Sequence, residues 1–185
     1  MIDFIPQTFE NPPRCQTEKD SAWKANAPIV KDIVNRFVKN PNVLLEFGVE
    51  YGYSTSIFSS YFNKVIGVDT FSGDINSGID REYFEETKYL LRDYTNVELI
   101  RSSYQDFIIG NNTIYDAIHV DIIHTYEDTY ACGKWAVEHS DVVMFHDTMS
   151  FIEVMAACKD LASKYNLNFY NYSAENGLGI LVRTL

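Results

Sequence analysis

The sequence predicts an α/β fold built on a mostly parallel sheet, and three observations carry that expectation. Short apolar runs alternate with amphipathic stretches five times, the pattern of parallel strands with helices on both faces. Two of the runs frame a glycine turn. They read Leu44-Leu45-Glu46-Phe47-Gly48-Val49-Glu50-Tyr51-Gly52-Tyr53-Ser54 and Val65-Ile66-Gly67-Val68-Asp69. The last two runs, 168–172 and 179–183, flank a Glu175-Asn176-Gly177 turn and read as a hairpin, which adds an antiparallel strand.

Each element has a local reason. Residues 1–27 are polar, irregular and interrupted by Pro6, Pro12 and Pro13, so they read as an arm over a domain spanning 28–185. Pro28 suits the first position of a helix. Ile29, Ile33 and Phe37, with Val30, Val34 and Val38, form paired stripes four apart, and Asn40-Pro41-Asn42 ends that helix. Strand one covers 43–47. Its helix starts at Ser54 as N-cap and turns Ile57, Phe58, Tyr61 and Phe62 inward. Strand two covers 65–69, and a polar, glycine-bearing loop follows at 70–80. A helix at 81–94 points Tyr83, Phe84, Leu90 and Leu91 inward. Strand three (97–100) leads to a short helix from Gln105, and strand four (115–120) ends at Asp121. Thr125-x-x-Asp128 is a capping-box-like start for a helix to His139. Strand five (141–145) ends at His146-Asp147, and Ser150-x-x-Glu153 reads as a second capping box for a helix to Tyr165.

Composition narrows the function. The net charge of −11 argues against a nucleic-acid partner, because that interface needs basic neutralisation of phosphates, and against an anionic membrane surface. Cys15, Cys132 and Cys158 are widely spaced and form no C-x-x-C, so they imply a reducing compartment, the cytoplasm, and no thiolate zinc site. The first residues carry neither a basic nor an apolar leader pattern.

The glycine turn selects a ligand. A dinucleotide site needs G-x-G-x-x-G, so that helix N–H groups can hold a pyrophosphate. Here the order is Glu46-x-Gly48-x-x-x-Gly52-x-Ser54, with the middle glycine missing and an acid before the turn. An acid repels pyrophosphate and attracts an ammonium group. The acid ending the second strand, Asp69, can accept ribose hydroxyls. S-adenosylmethionine combines an ammonium, a sulfonium and a ribose without phosphate.

These residues resemble motif I of the Rossmann-like, class I S-adenosylmethionine-dependent methyltransferases. Three further segments resemble the small-molecule O-methyltransferases of that class, of the macrolide-sugar and catechol types. They are Gly67-Val68-Asp69-Thr70-Phe71-Ser72-Gly73-Asp74, Asp121-Ile122-Ile123-His124-Thr125-Tyr126 and Phe145-His146-Asp147. The resemblance runs from about residue 28 to residue 183 and implies one seven-stranded sheet in the order 3-2-1-4-5-7-6. It implies a cofactor site at Glu46, Gly48, Val49, Gly52, Tyr53, Ser54, Asp69, Thr70, Ser103, Tyr104, Gln105 and Asp121. It implies a magnesium or manganese site at Asp121, His146 and Asp147, with His124 and His146 as the catalytic groups. A catechol-type relative would carry an acid where His146 stands and a lysine where His124 stands. The implied acceptor is a hydroxylated small molecule or sugar, and a homodimer is compatible with the family. Two alternatives stand beside this reading: a cofactor-binding protein of the same fold without turnover, and a metal-dependent oxygenase or oxidoreductase using His124, His146 and Asp121.

Overall fold

The computed structural model describes residues 1–73 and 78–183. Its strands are β1 (Ile2–Asp3), β2 (Val43–Phe47), β3 (Lys64–Asp69), β4 (Val97–Arg101), β5 (Ala117–Val120), β6 (Val142–His146), β7 (Leu167–Tyr172) and β8 (Leu178–Arg183). They form one sheet in the order β1-β7-β8-β6-β5-β2-β3-β4. Only β8 runs against its neighbours, pairing antiparallel with β6 and β7. Seven of these strands keep the expected order. The eighth is the two-residue β1, which adds to the edge beside β7 with Ile2 opposite Tyr170. No alternating pattern marks so short a strand; it is set by its partner.

The helices are α1 (Val30–Phe37), α2 (Tyr53–Phe58), α3 (Phe84–Leu90), α4 (Tyr104–Ile108), α5 (Tyr126–His139) and α6 (Ile152–Tyr165). Side chains alternate across each strand, so the sheet divides the core into two layers. Leu44, Ala117, Met144 and Ile180 meet Ile29, Ile33, Ile57 and Phe58 on one face. Leu45, Ile118, Phe145 and Leu181 meet Cys132, Ala136, Cys158 and Leu161 on the other. Each fully buried Leu, Ile or Phe contributes about 1.5–3 kcal/mol through removal from water, so both layers hold the sheet firmly. Three arm residues belong to the first layer, Phe4, Trp23 and Ala27.

Two helix starts differ from the sequence reading. The cap of helix α2 lies two residues earlier than expected, at Gly52 with φ +79°, because the Ser54 hydroxyl is drawn inward to Glu46. The Ser150 capping box does not form. Asp147 takes a left-handed φ of +63°, its carbonyl accepts the Ser150 and Phe151 amides, and Phe151 becomes the cap of α6. By contrast, Thr125 caps α5, its hydroxyl accepting the Asp128 amide at 3.1 Å.

Strand β2 lies between β3 and β5, so the chain leaves it in opposite directions. The carboxyl ends of strands at such a reversal open a crevice, the usual ligand position in an open α/β sheet. Gly48, Asp69, Asp121 and His146 all stand at that edge.

Candidate active site

A cavity of about 600 Å³ opens at this crevice. Its walls include Gly48, Val49, Tyr53, Ser54, Asp69, Thr70, Ser103, Tyr104 and Gln105 on one side and Asp121, His124, His146 and Asp147 on the other. The described lining contains no lysine or arginine. Cations near the rim are taken by acids: Lys19 and Arg81 each lie 2.7 Å from Glu86, and Arg101 lies 2.9 Å from Glu82. Asp74 and the rest of 74–77, in the loop after β3, lie outside the described residues.

The turn after β2 is fixed by backbone geometry. Gly48 has φ +85°, and a Cβ there would overlap the Asp121 backbone carbonyl. This glycine allows β2 and β5 to run side by side into the crevice. Asp69 then organises the turn. Its Oδ2 accepts the amides of Val49 (2.8 Å) and Glu50 (2.9 Å), and its Oδ1 accepts that of Phe71 (2.7 Å). A carboxylate has about four acceptor directions, so Asp69 has room for one ligand hydroxyl rather than a ribose pair.

Two expected cofactor residues do not reach the cavity. Glu46 is wholly buried beneath the turn, because it belongs to the face of β2 that α2 covers. It accepts hydroxyl bonds from Ser54 (2.5 Å) and Thr55, and the His119 Nδ1 lies 3.0 Å away. Its carboxylate therefore anchors the first turn of α2 instead of meeting a ligand. Gly52 is also outside the cavity. A Cβ there would stand 2.5 Å from Leu91 Cδ1, so the constraint comes from the segment ending α3.

The opposite wall is crowded with charge. Pairing of β5 with β6 sets Val120 opposite Phe145 and so brings Asp121 beside the His146-Asp147 end. One ligand atom from each of Asp121, His124 and Asp147 lies within 4.8 Å of the others. His124 Nε2 is 2.9 Å from Asp147 Oδ2 and 3.6 Å from Asp121 Oδ1. His146 Nδ1 is 3.1 Å from Asp147 Oδ2 and 3.3 Å from Asp121 Oδ2. His146 was expected as a metal ligand; the converging trio instead contains His124, while His146 lies below it, 3% exposed. None of the four ring nitrogens of His124 and His146 forms a directed hydrogen bond, although carboxylate oxygens stand at ion-pair distance.

These groups perturb one another. Burial acts to lower the His124 pKa, but Asp121 and Asp147 outweigh it and raise it to about 9. Burial likewise opposes the charged form of His146, and the same two acids raise its pKa to about 10. Burial pushes Asp121 and Asp147 up, yet the imidazoles hold both below the usual carboxylate range. His124 also stacks on Phe151, with ring centroids 4.1 Å apart.

Sequence reasoning missed Trp23. Its indole N–H donates to Asp121 Oδ2 at 3.1 Å and its ring stacks on His146 at 5.2 Å. The only signal was a lone tryptophan in a polar arm. Phe151, Ser150 and Asn176 also line the cavity without any motif to mark them.

The O-methyltransferase NovP matches this chain at a TM-score of 0.67 and 15% identity, over 84% of this chain and 76% of that one. The O-methyltransferase from Bacillus cereus, solved in complex with SAH, matches at 0.55 and 13%, over 77% and 74%. An rRNA methylase from Streptococcus thermophilus matches at 0.61 and 13%, over 85% and 96%. The chain has the Rossmann-like methyltransferase fold. No family model and no curated relative matches the sequence. Among the described residues, no helix of this fold is long and apolar enough to cross a membrane.

Proposed function

We propose that the protein is an S-adenosylmethionine-dependent O-methyltransferase acting on a hydroxylated small molecule. The observation that carries this reading is the division of one crevice into two unlike walls. A glycine turn tied to a strand-end acid faces a cluster of two carboxylates and an imidazole within 4.8 Å.

The cavity chemistry fits the cofactor. Its described lining offers acids, hydroxyls and aromatic rings and no lysine or arginine, its two imidazoles standing among the acids of the far wall, which suits a phosphate-free molecule. Gly48, Val49, Asp69 and Thr70 would hold the amino-acid and ribose parts, with Asp69 taking one hydroxyl. Ser103, Tyr104 and Gln105 would border the base, Tyr104 and Gln105 being held by Asp128 at 2.8 and 3.4 Å. S-adenosylmethionine supplies a methyl group already activated on sulfur.

The second wall fits a hard divalent cation. Two carboxylates with one imidazole beside them suit magnesium or manganese. Asp121 and Asp147 would hold such an ion beside His124; it would neutralise the carboxylates, free the imidazole of the proton they hold on it, and acidify a hydroxyl bound beside it. His124 Nε2 is the group placed to take the acceptor's proton, and Phe151 fixes its ring. Phe151 and Ile123 exclude water on the acceptor side, while Ser150 and Asn176 offer polar anchors. Holding oxygen, methyl carbon and sulfur in line supplies several kcal/mol of the barrier reduction, with about 7–11 kcal/mol as the upper range for alignment.

The rRNA methylase neighbour suggests another acceptor. The net charge of −11 and the absence of Lys and Arg from the described lining favour a small acceptor without phosphate. The test is transfer of a labelled methyl group to a panel of catechols, sugars and RNA, in chelator and with Mg²⁺ or Mn²⁺. Labelled small-molecule product that needs the cation supports the reading. Labelled RNA alone overturns it, and cofactor binding with no product from any acceptor favours a binding protein of this fold.

A further inference from the structure

We propose that Trp23 is a positioning residue for the strand-end acids, built into the site by the N-terminal segment. This rests on the reading of Asp121 as a cation ligand. Trp23 is 3% exposed, and its indole has one polar atom, a donor. That donor is spent on Asp121 Oδ2, at 3.1 Å. The same oxygen lies 3.3 Å from His146 Nδ1, and the ring of His146 stacks on Trp23 with an interplanar angle of 22°. The indole also meets His119 edge-on at 4.8 Å and Phe58 at 5.4 Å. The indole is therefore wedged between the buried core and the acid cluster. It fixes which lone pair of Asp121 stays turned toward the cavity, and it closes the space under His146.

The segment leading to Trp23 is tied down along its length. Arg14 bonds the Ser59 carbonyl at 3.2 Å, and the Gln16 amide bonds the Ser56 hydroxyl at 2.9 Å. Lys19 pairs with Glu86 and lies 4.6 Å over the Tyr51 ring, beside the glycine turn. One stretch of chain therefore touches both walls of the crevice. Simple core filling requires an aromatic ring at position 23 but no N–H. A carboxylate that binds a cation is held by outer hydrogen bonds whose loss costs about 10–100-fold in affinity.

The sequence contains two tryptophans, so Trp135→Phe leaves Trp23 as the sole indole in ¹⁵N-labelled protein. The inference expects a slowly exchanging indole N–H signal that shifts and exchanges faster in Asp121→Ala. It expects Mn²⁺ to broaden that signal, and it expects Trp23→Phe to raise the Mn²⁺ dissociation constant about tenfold or more. An indole signal indifferent to Asp121→Ala overturns the proposal, as does unchanged Mn²⁺ affinity in Trp23→Phe. If Asp121→Ala shifts the signal but Mn²⁺ does not broaden it in the parent, the metal reading fails and the Trp23–Asp121 tie stands.

Discussion

The two walls of the crevice handle their charges in opposite ways. On the β2–β3 side, Asp69 and Glu46 are held by the protein itself: Asp69 by three backbone amides, Glu46 by two hydroxyls and an imidazole. On the β5–β6 side, two acids and two imidazoles crowd together, and the ring nitrogens lack directed partners. The first wall keeps one acceptor direction of Asp69 for a ligand and otherwise works by shape. The second is held together by charge. Substitutions should therefore separate the walls, one changing cofactor affinity and the other changing turnover.

The sharpest separation is expected from His124→Ala. Loss of a positioned base lowers turnover by roughly 10²-fold or more, while S-adenosylhomocysteine affinity measured by calorimetry stays near the parent value. An equal loss of affinity would mean that the walls are not independent. Gly48→Ala should strike both walls, because its Cβ overlaps the Asp121 carbonyl and φ is +85°. Backbone cannot yield as a side chain can, so a stability loss on the order of 3 kcal/mol or more is expected in denaturant unfolding. Gly52→Ala should cost less, since the obstruction is the flexible Leu91 side chain.

Asp69→Ala removes the acceptor of three amides. Hydrogen bonds to a charged group are worth about 1.5–3 kcal/mol each. S-adenosylhomocysteine affinity should therefore fall at least about tenfold, with Mn²⁺ binding preserved. The pH dependence is the mildest effect. The raised imidazole pKa values of about 9 and about 10 add stability that is complete below the unfolded value of about 6.5 and lost as pH rises through the folded values. The depressed Asp121 and Asp147 values add stability that is present above the unfolded carboxylate pKa and lost as pH falls. In chelator, the unfolding midpoint should fall from neutral pH toward about pH 10, by roughly 2–4 °C for each kcal/mol lost. It should flatten when Asp121→Asn removes one partner. A flat parent profile would mean that the imidazoles are neutral.

The fold was legible because its signals are local. Apolar runs, the Thr125 cap and the Glu175-Asn176-Gly177 turn each act over a few residues, and their order implied the sheet. Gly48 and Asp69 were visible as types at strand ends, but what they touch was not. Nothing local says that Asp69 would be filled by amides, or that Glu46 would turn inward to Ser54, Thr55 and His119. Those outcomes depend on which face of β2 the next helix covers. Trp23 was illegible for the same reason: it meets Asp121 across 98 positions, and no periodicity spans that distance.

The central claim is that the crevice holds S-adenosylmethionine rather than a dinucleotide. Titration calorimetry of the intact chain with S-adenosylmethionine, S-adenosylhomocysteine and NADH, in chelator, tests it most directly. The account predicts one-to-one, micromolar binding of the first two ligands, weakened by Asp69→Ala, and no binding of NADH. Binding of NADH, or no heat from either adenosyl ligand, would contradict it.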